Sequence, residues 1–255
     1  MSDSVRIKFR RVSFLWSELS ALPTDDRALL AFACFAVSEV NCLRNLTIQS
    51  LHQVPENPTA EKYVSIQRNT LVRILVGKLW EFCTAIERKG TKLADLSTKA
   101  KAAVTFAADQ IVAAGALPGA KVANNLRNKT TFHYDIGQFR KNIRAGVGDF
   151  EAGFEITEQD GNCVFRMGEV VANGNDKQVN FEELLAWMQE IARTMTEFHL
   201  SLLNGIIPSS LFQSREKEEF IEFPKDLVAF LSDRLPVLMR SPCNASSNAA
   251  SCSAT

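Results

Sequence analysis

Residues 60–89, AEKYVSIQRNTLVRILVGKLWEFCTAIERK, place apolar side chains at every third or fourth position. That spacing predicts an amphipathic helix, and Gly90 supplies its end. The apolar stripe is wide enough to be buried against more than one neighbour, so this helix is expected inside a bundle. The stripe consists of Tyr63, Ile66, Val72, Leu75, Leu79, Phe82 and Ile86.

Four more segments have helical spacing. Thr24, Asp25 and Asp26 form a helix start, because a hydroxyl caps the first turn and acids lie at the positive end of the helix dipole. Asn180 and Glu183 resemble a capping box. The sequence therefore predicts a mainly α fold, an antiparallel helical bundle. Its other predicted helices span residues 24–45, 92–114, 120–132 and 181–204, and residues 136–147 are compatible with a further short helix. The apolar sides of these predicted helices include Phe35, Phe106, Leu184, Leu185, Met188, Ile191, Met195, Phe198 and Leu202.

One segment departs from the helical pattern. Residues 154–157 alternate between apolar and polar, Asp160-Gly161 is a tight-turn pair, and residues 163–171 alternate loosely again. This pattern predicts a small β-hairpin insertion at about residues 151–172.

Three parts make up the predicted organisation. Residues 1–23 form an N-terminal arm or a short helix, and residues 24–240 form the helical domain. Within that domain, Pro208 to Phe223 is expected to be a charged connector. Residues 241–255 are rich in Ser, Asn and Ala and have too little apolar content to fold, so a disordered tail is predicted there.

Charge and hydropathy narrow the possible functions. The 255 residues contain 29 Lys and Arg against 29 Asp and Glu, which excludes a global basic field but not a local basic cleft. The N-terminus lacks the apolar core of a signal peptide. The most apolar run, Ala28 to Val37, is too short to cross a bilayer. The sequence predicts a cytoplasmic protein with no membrane partner.

The six cysteines form no Cys-x-x-Cys pair, and no histidine lies at zinc-like spacing from them. We therefore expect neither a metal site nor another cofactor. Cys34, Cys42 and Cys83 lie on apolar helical faces, where cysteine usually acts as a small hydrophobic residue. His199 comes late in its predicted helix, where a histidine interacts favourably with the helix dipole.

The chemistry-bearing residues concentrate in Arg127-Asn128-Lys129-Thr130-Thr131-Phe132-His133-Tyr134-Asp135. Arginine carries a permanent planar charge suited to phosphate oxygens, and histidine can take and give a proton near neutral pH. The amide of Asn128 can orient either the arginine or the histidine by hydrogen bonding. Together these groups suit cleavage of RNA without metal, since the 2′-hydroxyl is a built-in nucleophile. Arg127, His133 and Asn128 are the candidate catalytic residues.

Lys121, Lys129 and Tyr134 are the candidate substrate-binding residues around this motif. On an ideal helix Arg127 and His133 are about 9 Å apart along the axis and roughly 120° apart around it. A helix end, a kink or a symmetric dimer would bring these groups together. Glu81 or Glu87 could support the motif, and the sequence does not decide between them.

Arg127, Asn128 and His133 resemble the signature of the HEPN superfamily: an arginine, a polar residue and, a few positions later, a histidine. Arg127 matches the motif arginine, Asn128 the polar position and His133 the histidine. Some branches add a tyrosine two positions after the histidine. Here Asp135 occupies that position and Tyr134 follows His133 directly, so that branch is not assigned.

The resemblance implies a HEPN-like helical bundle over about residues 24–204, with the hairpin as an insertion. It also implies a metal-independent ribonuclease of the toxin or phage-defence type. The implied partners are RNA, a second copy of the chain in a homodimer, and an antitoxin or regulatory protein.

Two other interpretations stay open. The chain could be a non-catalytic RNA- or protein-binding module of the same fold, or a different helical protein in which the motif is accidental. Loss of RNA cleavage in both the Arg127→Ala and the His133→Ala variant would identify the ribonuclease. Binding that survives His133→Ala would identify the binding module.

Overall fold

The computed structural model describes residues 4–12, 15–51, 57–88, 90–127, 140–141, 143–144, 181–207 and 216–224. The helices among them are α1 (Thr24–Leu51), α2 (Pro58–Arg88), α3 (Thr98–Gly115), α4 (Pro118–Leu126) and α5 (Phe181–Ile206). Short 3-10 turns occupy Trp16–Leu19 and Gly90–Lys92, and two strands, β1 (Ser4–Val12) and β2 (Glu216–Pro224), complete the elements. The predicted mainly α class is confirmed. The predicted hairpin at 151–172 and the tail at 241–255 lie outside the described residues.

α1 and α2 form an antiparallel pair. The rings of Phe32 and Phe82 stack with their centroids 6.1 Å apart. Further along α1, the carbonyl of Ser50 accepts a hydrogen bond of 2.8 Å from Nε of Arg68. Later residues of α1 therefore meet earlier residues of α2, as the antiparallel prediction requires.

α5 contacts each of the other four helices and lies at the centre of the bundle. One side of it is almost completely removed from solvent, which explains why the sequence there is apolar at helical spacing. Most of this side was predicted from the sequence, but Trp187 was not expected on it. The most deeply buried apolar side chains of α5 are Leu184, Trp187, Ile191, Met195, Phe198 and Leu202, all 2% exposed or less.

Some residues assigned to apolar stripes are not in the core. Phe35 of α1 is 66% exposed, Phe106 of α3 is 39% exposed, and Leu185 of α5 is 40% exposed. Their direct neighbours in the chain, Leu184 and Ala107, are buried instead. A helix turns 100° per residue, so two adjacent apolar residues cannot both point at the same neighbour.

Several helix boundaries differ from the prediction by two residues or more. α1 continues to Leu51, past the expected end near residue 45. There the Arg68 hydrogen bond to Ser50 satisfies a carbonyl of the last turn, which would otherwise lack a partner within the helix. α3 begins at Thr98 rather than near residue 92, because the hydroxyl of Ser97 caps it by accepting from the backbone N–H of Ala100. α5 ends at Ile206 rather than Asn204.

The segment before α3 is held by the start of α1. Asp26 is 1% exposed, and its carboxylate accepts a hydrogen bond of 2.9 Å from the backbone N–H of Ser97. The neighbouring Asp25 accepts one of 3.0 Å from the backbone N–H of Asp95. The acids that predicted a helix start therefore also tie α1 to a segment seventy residues later in the chain.

The described helices belong to one compact unit, Leu15–Ser209, and the two strands belong to a second. In place of the expected arm and charged connector, the structure has β1 and β2 paired antiparallel. The register sets Arg6 opposite Glu222 and Arg10 opposite Glu218.

α1 is longer and more apolar than the run of residues 28–37 suggested. Among the described residues, Thr24–Ser50 has the length and composition of a membrane span, with a mean hydropathy of 1.3 in its most apolar window. A core helix of a soluble protein can meet the same criteria, and 28% of this window is buried in the protein. The expected cytoplasmic location stays a prediction.

Candidate functional site

α4 presents the first residue of the motif. Pro118 occupies the first helical position, where its missing N–H costs nothing and its fixed φ favours the helix. The chain bends by 94° between α3 and α4. α4 ends at Leu126, and Arg127 follows with helical backbone angles, φ −59° and ψ −48°. The rest of the expected helix, residues 128–132, lies outside the described residues.

Small residues bring α4 against α5. A Cβ added to Gly119 would lie 2.1 Å from the carbonyl oxygen of Glu183, a distance that no side chain tolerates. Ala120 and Ala123 follow on the same side of α4 and are 7% and 0% exposed. Arg127 lies one helical turn beyond Ala123 and therefore at the end of this packed side.

An ion pair joins Arg127 to α2. Nη2 of Arg127 donates to Oε1 of Glu81 at 2.8 Å, across 46 residues of sequence. The side chains are 27% and 50% exposed, so the pair lies at the surface of the helix junction rather than in the core. The sequence did not decide whether Glu81 or Glu87 supports the motif, and the structure shows Glu81 in contact with Arg127.

Core packing sets the distance between the two members of this pair. Trp80, the residue before Glu81, places its ring 5.9 Å from that of Trp187 in α5, and Trp187 is 2% exposed. α2 and α4 are thus each fixed to α5, one through an indole pair and the other through Gly119. Arg127 and Glu81 meet where these three helices come together, and α2 and α4 also contact each other there.

The structure locates two of the six candidate site residues. Arg127 is half-buried at the junction, and Lys121 is exposed on α4. Six residues separate them, so their side chains point about 120° apart on α4. Asn128, Lys129, His133 and Tyr134 lie outside the described residues. Of the short helix considered for residues 136–147, Arg140, Lys141 and Arg144 are helical and exposed.

A second contact between chemistry-bearing groups was not anticipated. Sγ of Cys34 in α1 lies 3.4 Å from Nε2 of His199 in α5. The two residues are 165 positions apart, and no local pattern in the sequence connects them. His199 is also seven residues from the last residue of α5. Burial lowers its pKa, so a positive charge at the helix end does not explain its position.

Within the part of the chain that the structure describes, no group of three or more His, Cys, Asp or Glu side chains is arranged to hold a metal ion. Buried Cys83 fits its expected role as a small hydrophobic residue, whereas Cys42 is exposed.

Comparison of the chain with protein-family models, with curated proteins and with solved structures found no match. The site is therefore defined by its own residues and contacts.

Proposed function

We propose that the chain is a metal-independent endoribonuclease of the toxin or phage-defence type, with Arg127 and His133 as catalytic residues and a HEPN-like fold. The observation that carries this proposal is the position of Arg127. It sits at the end of a helix locked against α5, with its guanidinium held by Glu81 at 2.8 Å and part of its side chain open to solvent. A catalytic arginine needs such a fixed position to stabilise charge that develops on phosphate oxygens.

The reaction needs no cofactor. The 2′-oxygen of RNA attacks the adjacent phosphorus while His133 accepts the hydroxyl proton. The bond from phosphorus to the 5′-oxygen breaks, and that oxygen takes a proton from a second acid. The products are a 2′,3′-cyclic phosphate and a 5′-hydroxyl. In a symmetric dimer the partner's His133 supplies the second proton, so two copies complete both roles.

Arg127 acts on the phosphoryl oxygens, and Asn128 orients the reacting groups. An arginine guanidinium has five N–H donors in a planar fork, so pairing with a carboxylate does not by itself prevent an arginine from binding a phosphate oxygen. Glu81 acts as a positioning residue for Arg127, and Lys121, Lys129 and Tyr134 contact the RNA chain.

The test uses purified protein and total RNA in excess chelator, with the wild type and His133→Ala prepared in parallel. The proposal expects cleavage by the wild type alone, with cyclic-phosphate ends on the products. Equal cleavage by both proteins would overturn it, because the activity would then come from another site or a contaminant. RNA binding without cleavage by either protein would favour the binding module.

One observation favours that second candidate, a non-catalytic helical module. Arg127 already has a carboxylate partner on another helix, as an arginine with a purely structural role would. This candidate predicts that His133→Ala leaves binding unchanged, whereas disrupting the junction through Arg127→Ala weakens it.

A further inference from the structure

The Cys34–His199 contact lies outside the motif and joins α1 to α5. The sulfur and Nε2 are 3.4 Å apart, within the range of a hydrogen bond that involves sulfur. Both residues are partly exposed, so the pair lies at the edge of the core rather than inside it. A thiol beside an imidazole is a nucleophile beside a base, the arrangement that permits covalent chemistry at sulfur.

The residues that flank the pair fix its geometry. Ala33 and Phe198, the residues before Cys34 and His199, are both 0% exposed. Phe198 also packs edge-on against Phe82, with ring centroids 5.9 Å apart. The pair therefore lies at the edge of the core. The packing of α1 and α5 holds Cys34 and His199 close to each other.

Both groups are neutral near pH 7. Burial raises the pKa of the Cys34 thiol, an effect partly opposed by a backbone hydrogen bond, and burial lowers the pKa of His199. Neither shift has a contribution from a charged side chain. The charged residues on the helices packed around the pair include Glu39, Lys78, Glu87, Lys99, Arg193 and Glu197.

We propose that Cys34 is a modification site for soft carbon electrophiles of the α,β-unsaturated carbonyl class, with His199 as its proton acceptor. The sulfur forms a bond to the β-carbon, and the electron pair of the C=C bond moves to the α-carbon and carbonyl as an enolate. The thiol proton passes to Nε2, and the imidazolium then returns a proton to the α-carbon. The addition has no leaving group and needs no oxidant.

Two other described cysteines provide internal references. Cys42 is exposed on the same helix, eight residues later, and reports the behaviour of an ordinary surface thiol. Cys83 is buried, and burial together with the charge of Glu87 raises its pKa to about 12, so it reports any loosening of the core. Cys34 and Cys42 share the tryptic peptide 28–44, so fragment ions must assign the labelled residue.

The experiment labels the full chain with N-ethylmaleimide, itself an α,β-unsaturated carbonyl compound, and compares the wild type with His199→Gln. Glutamine can keep a hydrogen bond to the sulfur but cannot accept a proton. The labelling rate of Cys34 should fall about a hundredfold, the lower end of general-base effects, while that of Cys42 stays the same. An unchanged rate at Cys34 would overturn the proposal.

If His199→Gln loosens the core and raises labelling at Cys83, a second measurement on the wild type alone tests whether His199 accepts the thiol proton. Between pH 6.5 and about 8 a free thiol such as N-acetylcysteine, labelled in parallel, should react about ten times faster for each pH unit, because only its thiolate reacts. Cys34 should show a nearly flat rate over this interval, since its neutral pair with His199 is the reacting form throughout. A rate at Cys34 that rises in parallel with that of the free thiol would contradict the role of His199.

Discussion

The Arg127–Glu81 and Arg193–Glu197 pairs have the same chemistry and nearly the same length, 2.8 and 2.9 Å, but they arise differently. Arg193 meets Glu197 one turn along α5 and also pairs with Glu190 in the same helix. Any helix with this sequence would bring these groups together. Arg127 meets Glu81 only because α2 and α4 both pack against α5. The Arg193–Glu197 pair thus reports helix formation, whereas the Arg127–Glu81 pair reports the assembled bundle.

The largest expected difference between the two arginines is in activity. If the proposed ribonuclease function holds, Arg127→Ala should lower RNA cleavage by about 10²–10³-fold, because a donor to the developing phosphate charge is lost. Arg193→Ala is the matched control, since it removes the same charge from an ion-paired arginine outside the motif, and it should cleave like the wild type. Comparable cleavage by Arg127→Ala and Arg193→Ala, both folded by circular dichroism, would remove Arg127 from the catalytic residues.

The next largest expected effect is on the free energy of unfolding, when a substitution pushes α4 away from α5 and so disturbs the contact that brings Arg127 to Glu81. Gly119→Ala places a Cβ against the backbone of Glu183 and should lower the free energy of unfolding by about 1–3 kcal/mol, as overpacking does. The control is Gly115→Ala at the end of α3, where an added Cβ meets nothing within 4 Å. It should be neutral or stabilising by up to about 1 kcal/mol. Urea denaturation measures the free energy of unfolding of both variants. Equal values for Gly119→Ala and Gly115→Ala would show that α4 does not approach α5 so closely.

Two adjacent aspartates sharpen the contrast between buried and exposed tertiary contacts. Asp26→Ala should cost about 1–3 kcal/mol, because the part-buried N–H of Ser97 loses the buried carboxylate that accepts its hydrogen bond. Asp25→Ala removes a similar bond to Asp95 at an exposed position and should cost less than about 1 kcal/mol. Thermal unfolding of the two variants tests this order. Equal losses would mean that burial does not distinguish the two bonds.

The smallest effect is the coupling energy within each ion pair. A double-mutant cycle of Arg127→Ala with Glu81→Ala should give about 0.5–1 kcal/mol, since both side chains remain partly solvated. The cycle of Arg193→Ala with Glu197→Ala should give about 0.3–0.5 kcal/mol, the usual value for a pair within one helix. High salt should reduce both values. A coupling near zero for Arg127 and Glu81 would mean that packing alone holds the arginine in place.

Much of the bundle could be predicted because helical periodicity is local. The stripe from Leu75 to Ile86 and the side of α5 that contains Ile191 and Phe198 are buried as predicted. The strands were not predicted, because pairing between residues 4–12 and 216–224 depends on segments two hundred positions apart. For the site, the sequence offered Glu81 and Glu87 equally, and it offered no sign that Cys34 would meet His199.

By itself the sequence determined where helices form and which side of each is apolar, since both follow from residues within a few turns. It also singled out Arg127, Asn128 and His133 through their chemistry and spacing. Only the tertiary structure decided that Glu81 holds Arg127, that Gly119 allows α4 to touch α5, and that a thiol and an imidazole face each other across α1 and α5. These contacts depend on how helices cross, and crossing is set by the fit of many side chains at once.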